Sequence, residues 1–577
     1  MIAAAAMIFS LASCSVNDIE KPGVADKTTA YAKVAITMPK SVGTRAGSDL
    51  DASVGTEPEQ KINAIHLAFY EASGEYVGNG EIATEGLATP AVPKEDDGDE
   101  DNVSNYLTQV FKLNLKEGSK PAQVVAFINT ELKGNNLDAL EAGLETEDLT
   151  QNGFAMTNAG YYDADSKFVV AVPVSEANIY HENTEEAAAK ATVVNIYVER
   201  LAAKVTVDAS SVSQDNLNYR VEDVAGEEAK LVFKFDKWGA TGKAQREYLV
   251  KTPFGSHKTW NSPSNHRSFW AEGVHYAKDN GNFSYYYNNS KVTGVLDYIP
   301  FKDGYTSTMN KYGDDQPEYV REHTTALGEG ELKQNIIATT YALVVGHYDV
   351  EGTHSDWFKK ADQVNEENVY DFYLLLSGSD SKEKGGKDVY TIYSSNQLIG
   401  YLLHWNGVEK LRVGEDGQVM TTLPTAENAT NDYTEWFDLE YNEEGKYQLI
   451  VKADGSDKLY NVTSEEAKEI TEEDDFSKCT NARNYHYAEG NAYFNAAIQH
   501  DVEEGKTVYG VVRNHYYKMT IKAITTLGAP VNGDVFKKDP SNPEPPIIPD
   551  PDDFNDNFIK AEINVLSWNV KNNNVVL

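Results

Sequence analysis

The sequence predicts an all-β protein of two tandem antiparallel β-sandwich domains, followed by a proline-rich arm and a terminal strand. Three observations carry this reading. Short segments alternating apolar and polar residues recur along the chain, helical periodicity is sparse, and 577 residues exceed what a single core organises. The alternating segments fall at 62–70, 123–129, 167–174, 191–208, 230–235, 247–251, 336–345, 369–376, 447–452 and 516–524, with Gly, Asn, Asp and Pro clusters between them. Segments 175–190 and 464–470 read as helices. The 35 tyrosines suit half-exposed strand faces, where the ring packs and the hydroxyl stays wet.

Composition narrows the function. A hydrophobic content of 41% supports real cores, while a mean hydropathy of -0.51 excludes a chain of many membrane spans. With 51 Lys and Arg against 90 Asp and Glu, the net charge of -39 repels nucleic acid and anionic membrane surfaces. The two cysteines, Cys14 and Cys479, are too few for a disulfide framework, so stability must come from packing. Cys479 reads as a small semi-buried hydrophobe.

The first residues read as an export signal. An apolar stretch over 2–12 has the length of a signal core, and it ends in Leu11-Ala12-Ser13-Cys14. This tetrad resembles the lipobox of bacterial lipoproteins, in which cleavage leaves Cys14 to carry lipid. Next, Ala32, Val34, Ile36 and Met38 alternate with more polar neighbours as in a half-buried strand. A loop of small residues follows, with Lys40 and Arg45 as its basic members, and such a loop is open to proteolysis between Arg45 and Ala46.

The far end mirrors this strand. Pro540, Pro543, Pro545, Pro546, Pro549 and Pro551 form an extended arm. At about 3.1 Å per residue the arm reaches roughly 35 Å. Beyond it Ile559, Ala561, Ile563 and Val565 alternate with polar residues, and Trp568 and Val570 resume after a one-residue phase shift that resembles a bulge. Each strand thus presents four apolar side chains at period two, and either can fill the same groove. Losing the first by proteolysis would leave an open hydrophobic edge, which a neighbour's tail can cover by strand addition.

In order along the chain, these motifs resemble the fimbrillins of type V pili, nearest the Mfa-type major subunit. The resemblance rests on Leu11 to Cys14, the Thr44-Arg45-Ala46-Gly47 loop, Val198-Glu199-Arg200-Leu201-Ala202-Ala203-Lys204-Val205 and Val511-Val512-Arg513-Asn514-His515-Tyr516-Tyr517. It rests also on Ile521-Lys522, Leu527-Gly528, the proline arm, and Val565-Leu566-Ser567-Trp568-Asn569-Val570. It implies transthyretin-like sandwiches and the following layout: signal peptide 1–14, propeptide with the displaceable strand 15–45, N-terminal domain 46–190, C-terminal domain 191–538, and arm with donor strand 539–577. It further implies lipidation at Cys14, cleavage by an Arg-specific protease, and donation of the terminal strand to another copy in a fimbrial polymer. The implied partners are anchor and tip subunits, host or bacterial surface receptors, and the outer membrane for the precursor. Adhesion and biofilm formation at the cell surface are the implied roles. Between Pro253 and Glu473 the chain departs from the family pattern.

Chemistry-bearing motifs are weak. The 12 histidines show no His-Glu-x-x-His spacing, and the acidic run 95–102 has its glycine misplaced for a calcium loop, so no metal, cofactor or catalytic residue is expected. Ser379-Asp380-Ser381-Lys382 matches an acyl-serine pattern but lacks its partner motifs. Of the tryptophans, most are expected in cores, and a glycan groove is the alternative. A tip or accessory subunit, a surface glycan-binding lipoprotein and a secreted hydrolase are the competing readings. The cleavable strand and tethered tail favour a stalk subunit, which is not an enzyme.

Overall fold

The structure is a computed structural model. It describes residues 27–39, 52–54, 56–83, 103–131, 136–137, 153–162, 168–180, 190, 192–210, 212–251, 296–297, 299, 309–311, 316–324, 339–360, 368–379, 386–442, 446–452, 457–478, 483–503, 506–531 and 560–569. These are nearly all β, as expected, and form two compact units. The first is Met1–Ala202, Arg246–Val274 and Ser567–Leu577; the second is Ala203–Gln245 and His275–Leu566.

The first unit is built from β1 (Lys27–Pro39), β2 (Ala52–Val54), a one-turn helix α1 (Glu57–Gln60), β3 (Ala64–Tyr70), β4 (Tyr76–Ala83), β5 (Val103–Lys116), β6 (Gln123–Ile128), β7 (Met156–Asn158), β8 (Tyr161–Tyr162), β9 (Phe168–Val169), β10 (Val172–Pro173) and β11 (Val194–Arg200). Its eight-stranded sheet runs β10-β6-β3-β4-β5-β1-β11-β7, and a further pairing of β6 with β7 closes it on itself. Closure removes free edges. All joins are antiparallel except β1 to β11, which is parallel.

The registers show which side chains share the inner face. Leu67 lies opposite Ala126 and Gly80, Gly80 opposite Leu113, and Leu113 opposite Ala30. Glycine is required on β4. A Cβ at Gly80 would stand 2.7 Å from Leu113 Cδ2, and one at Gly78, where φ is +155°, would stand 2.3 Å from the Asn114 carbonyl oxygen. The outer face of β3 and β6 is buried as well: Ala68, Tyr70, Val125 and Phe127 pack with Leu249 and Val250. Segment 247–251, expected as a strand, is not one, and its Leu249 and Val250 plug that core.

The expected segment 191–208 is two strands broken at Leu201, β11 and then β12 (Ala202–Asp208), because the chain passes there from one compact unit to the other. In the second unit an antiparallel sheet orders Asn310–Lys311, Lys230–Thr241, Tyr341–Glu351, Asn491–Ala497 and Ala529–Pro530. Its Leu231, Phe233, Val344, Tyr348 and Phe494 share one core with Ala203, Val205, Tyr517, Met519 and Ile521 of the opposing layer. The layer that carries Phe372–Ser379 is buried on both faces. Phe372 and Leu374 enter this core, while Tyr373 and Leu375 enter another, built on helix α2 (Ser395–Trp405) with Leu398, Leu402 and Phe437.

Two helix expectations differ from the structure. Segment 464–470 contains the edge strand Ala467–Ile470, paired with Leu459–Val462; three of its four residues are exposed and only Ile470 is buried, so no apolar helical stripe exists to bury. In 175–190 the described part is a 3-10 turn, Glu176–Asn178, with 181–189 outside the described residues. Helix α2 was missed although its start signal was present. Ser394 Oγ accepts from Gln397 N at 3.3 Å and Gln397 Oε1 accepts from Ser394 N at 3.0 Å, a reciprocal capping box.

The same layer contains a pH-sensitive contact. Asp371 Oδ1 accepts from His486 Nε2 at 2.9 Å and its other oxygen accepts from Glu489 N at 3.3 Å. Burial pushes the Asp371 carboxyl up, but the hydrogen bond and charge of His486, the Glu489 N–H and the Lys360 charge together outweigh it and hold the group below its usual 3.8. A carboxyl lowered by folding contributes stability above the unfolded value, and that contribution is lost as pH falls through the folded one. Acid unfolding of wild type should therefore contain a component below pH 3.8 that Asp371→Asn lacks. Superimposable acid limbs for the two proteins would disprove this.

Candidate strand-exchange site

Strand β1 is the centre of the candidate site. It is paired along its whole length, from Lys27 opposite Lys116 to Pro39 opposite Val103, with an irregularity between Ile36 and Thr37. On its other side Tyr31 exchanges backbone hydrogen bonds with Tyr180 at 2.8 and 2.9 Å, and Val34 to Thr37 run parallel to Val194 to Tyr197. Ala30, Ala32, Val34 and Ile36 are each no more than 1% exposed. Their partners across the two ladders include Leu113 for Ala30, Phe111 for Ala32, Val194 for Val34 and Ile196 for Ile36, all buried. The pleat sends alternate residues to one side, so the period-two pattern in the sequence becomes an apolar rib inside a closed sheet.

The walls of this slot differ. On one side β5 is held from behind by β4, with Gly78 to Gly80 opposite Leu115 to Leu113. On the other, β11 pairs with β7 from Val198 to Arg200, and the Tyr197 carbonyl accepts from Ala159 N at 2.8 Å. There the fastening is made by side chains. Glu199 Oε2 lies 3.1 Å from Lys251 Nζ, with both side chains at most 2% exposed. Arg200 Nε donates to the Glu59 carbonyl at 2.9 Å, and Thr157 Oγ1 donates to the Leu249 carbonyl. Sequence reasoning read Glu199 and Arg200 only as motif letters and missed Lys251, because charges in a strand ordinarily signal a solvated face.

The tail forms a strand, Lys560–Asn569. In the second unit the sheet order is Glu318–Arg321, β12, His515–Ala523, then the tail. Within the first unit, Ser567 to Asn569 run parallel to β2. Ala561, Ile563, Val565 and Trp568 thus lie on a strand held by its own chain. Cys14, Arg45, Ala46, Ile559 and Val570 lie outside the described residues, while Met38 sits on β1 opposite Ser104. Among the described residues no cluster of three His, Cys, Asp or Glu could hold a metal. His347 is paired with Asp236 at 2.9 Å and His354 with Asp223 at 2.6 Å, in two separate contacts. Trp238 is core, as expected, whereas Trp405 is 52% exposed.

Comparison with known proteins bears on the C-terminal part. Residues 485–574 match the family described as "Major fimbrial subunit protein type IV, Fimbrillin, C-terminal". Over this region the chain resembles the C-terminal part of fimbrillins. No curated protein matches the chain. Solved structures overlap it loosely. A proposed cell adhesion protein from Parabacteroides distasonis is 10% identical with a TM-score of 0.34, covering 93% of this chain and 98% of its own. The tip fimbrial protein Mfa3 from Porphyromonas gingivalis is 11% identical with a TM-score of 0.24, covering 62% and 99%. A fimbrial assembly protein from Parabacteroides distasonis is 12% identical with a TM-score of 0.22, covering 56% and 100%. Scores this low support no functional statement.

In and around the matched region the motif residues are buried and hydrogen-bonded. Arg513 donates through Nε and Nη2 to Glu322 Oε2, each at 2.9 Å, with both side chains at most 2% exposed. Tyr517 Oη accepts from Val512 N at 2.8 Å, and burial pushes its phenol well up. The carbonyls of Leu527 and Gly528 accept from the buried hydroxyls of Tyr348, at 2.6 Å, and Tyr487, at 3.1 Å. Gly528 has φ +68°, and a Cβ there would stand 2.7 Å from the Phe494 ring.

Proposed function

We propose that this chain is a fimbrillin, the stalk subunit of an adhesive surface fimbria, of the Mfa type, and that it polymerises by strand exchange. It is a structural protein and carries no catalytic role. Its precursor is exported as a lipoprotein on Cys14 and held at the outer membrane. An Arg-specific protease cuts between Arg45 and Ala46, β1 leaves, and residues 559–577 of another copy take its place. The displaceable part, 15–45, precedes an N-terminal domain that begins at Ala46, and the arm and donor strand occupy 539–577. Anchor and tip subunits bound the polymer, and its surface meets receptors during adhesion and biofilm formation.

The observation that carries this reading is the position of β1. A strand that ends just before a basic loop is the one whose loss opens a closed sheet between β5 and β11, exposing an apolar slot. The tail repeats its four-residue apolar rib. Subunits purified from fibres should begin at Ala46, and Arg45→Ala should leave monomers that begin at Cys14. Normal fibres from Arg45→Ala, seen by electron microscopy, would count against the cleavage step. Labelled palmitate should enter wild type and not Cys14→Ser; equal labelling would end the lipoprotein reading.

A further inference from the structure

The slot that β1 vacates has one wall, β11, whose ladder to β7 backs it over part of its length. Residues 194–197 of β11 have β1 as their ladder partner, whereas the pairing to β7 begins at Val198. What remains after β1 departs includes the bond from Ala159 N to the Tyr197 carbonyl at 2.8 Å and, just beyond it, the Glu199–Lys251 ion pair, the Arg200 bond to the Glu59 carbonyl, and the Leu201 N bond to the Ala155 carbonyl at 2.9 Å. Glu59 and Lys251 both follow Arg45 in the chain, so cleavage there keeps both. Glu59 is itself fixed by a bond from Thr56 N at 2.6 Å.

Resting on the strand-exchange reading, we propose that Lys251 and Arg200 are positioning residues that hold β11 as a preformed wall for the incoming strand. Neither touches the donor. A buried ion pair fixes one geometry because a misplaced charge in the core is costly, and that rigidity is what an edge awaiting a partner lacks. A preformed wall spares the donor the ordering of residues 194–197 at the moment of binding.

The test compares precursor and Arg45-cleaved full chains by amide hydrogen exchange, with a synthetic peptide of residues 559–577 as donor. Peptide that slows exchange at 194–197 in cleaved wild type supports the strand-exchange reading, and no slowing overturns that reading. The wall is read without peptide. Lys251→Met should speed exchange at 194–197 by about tenfold in cleaved chains, leave precursors little changed because β1 still covers the stretch, and weaken peptide binding by about tenfold. Glu199→Gln with Lys251→Gln, a neutral hydrogen-bonded pair, should restore most of the protection. Arg200→Gln cuts the second fastening alone and gives the same pattern, which keeps the test open if Lys251→Met does not fold. Equal acceleration in precursor and cleaved chains, or acceleration spread across the first unit, would show a merely structural role and overturn the inference.

Discussion

Chains ending at Asp556 are expected to be exported and cleaved as folded monomers that form no fibres. Burying Ile559, Ile563 and Val565 at roughly 1.5 to 3 kcal/mol each contributes about 4 to 9 kcal/mol before ordering costs. Backbone pairing along the strand adds roughly 0.5 to 1.5 kcal/mol per hydrogen bond. Removing the tail takes all of this from the link between copies. The fold should survive, because His515–Ala523 keeps its parallel pairing with β12, from Lys204 opposite Tyr516 to Asp208 opposite Thr520. Ile563→Asp should act nearly as strongly, since the slot that β1 occupies is lined by apolar residues such as Phe111, Leu113 and Ile196 and offers a carboxylate no partner there. Circular dichroism should report a native spectrum for both variants. Mixing truncated with cleaved wild-type subunits should shorten fibres in electron micrographs. Ordinary fibres from truncated protein alone would sink the donor-strand account and the stalk assignment with it.

Glu322→Ala is the substitution expected to destabilise the second unit most. It removes the carboxylate paired with the Arg513 guanidinium, whose side chain is 1% exposed. Breaking a buried pair from one side costs about 3 to 5 kcal/mol. Replacing both groups by apolar side chains, Glu322→Leu with Arg513→Met, should recover most of that loss, because the desolvation of two charges disappears along with their attraction. Arg513 N also donates to Glu322 Oε1 at 3.3 Å, so some cost remains in the double variant. Urea unfolding of the three proteins checks the order. A single variant as stable as wild type would mean that water or another group takes over the guanidinium.

The alternation of β1 was legible because pleating is local: Ala32, Val34 and Ile36 must share a face wherever the strand lies. The same held for β3 and β6, found at 64–70 and 123–128 against expectations of 62–70 and 123–129. Helix α2 is legible in principle through the reciprocal Ser394 and Gln397 cap. The edge strand at 467–470 was not legible, since exposed acidic and basic residues tell little about backbone when the neighbouring strand decides it.

By itself, then, the sequence determined the strand-rich class, the two matching apolar ribs and the resemblance to fimbrillins, each of which rests on local periodicity or on residues held in a fixed order. Only the tertiary structure decided that β1 closes a sheet between β5 and β11, with one join antiparallel and the other parallel. It alone brought Lys251 to Glu199 and Arg513 to Glu322, across 52 and 191 residues of chain. Hydrogen bonding between strands and the pairing of buried charges are set by which segments meet in space. A linear pattern of apolar and charged letters contains the capacity to meet but not the partner.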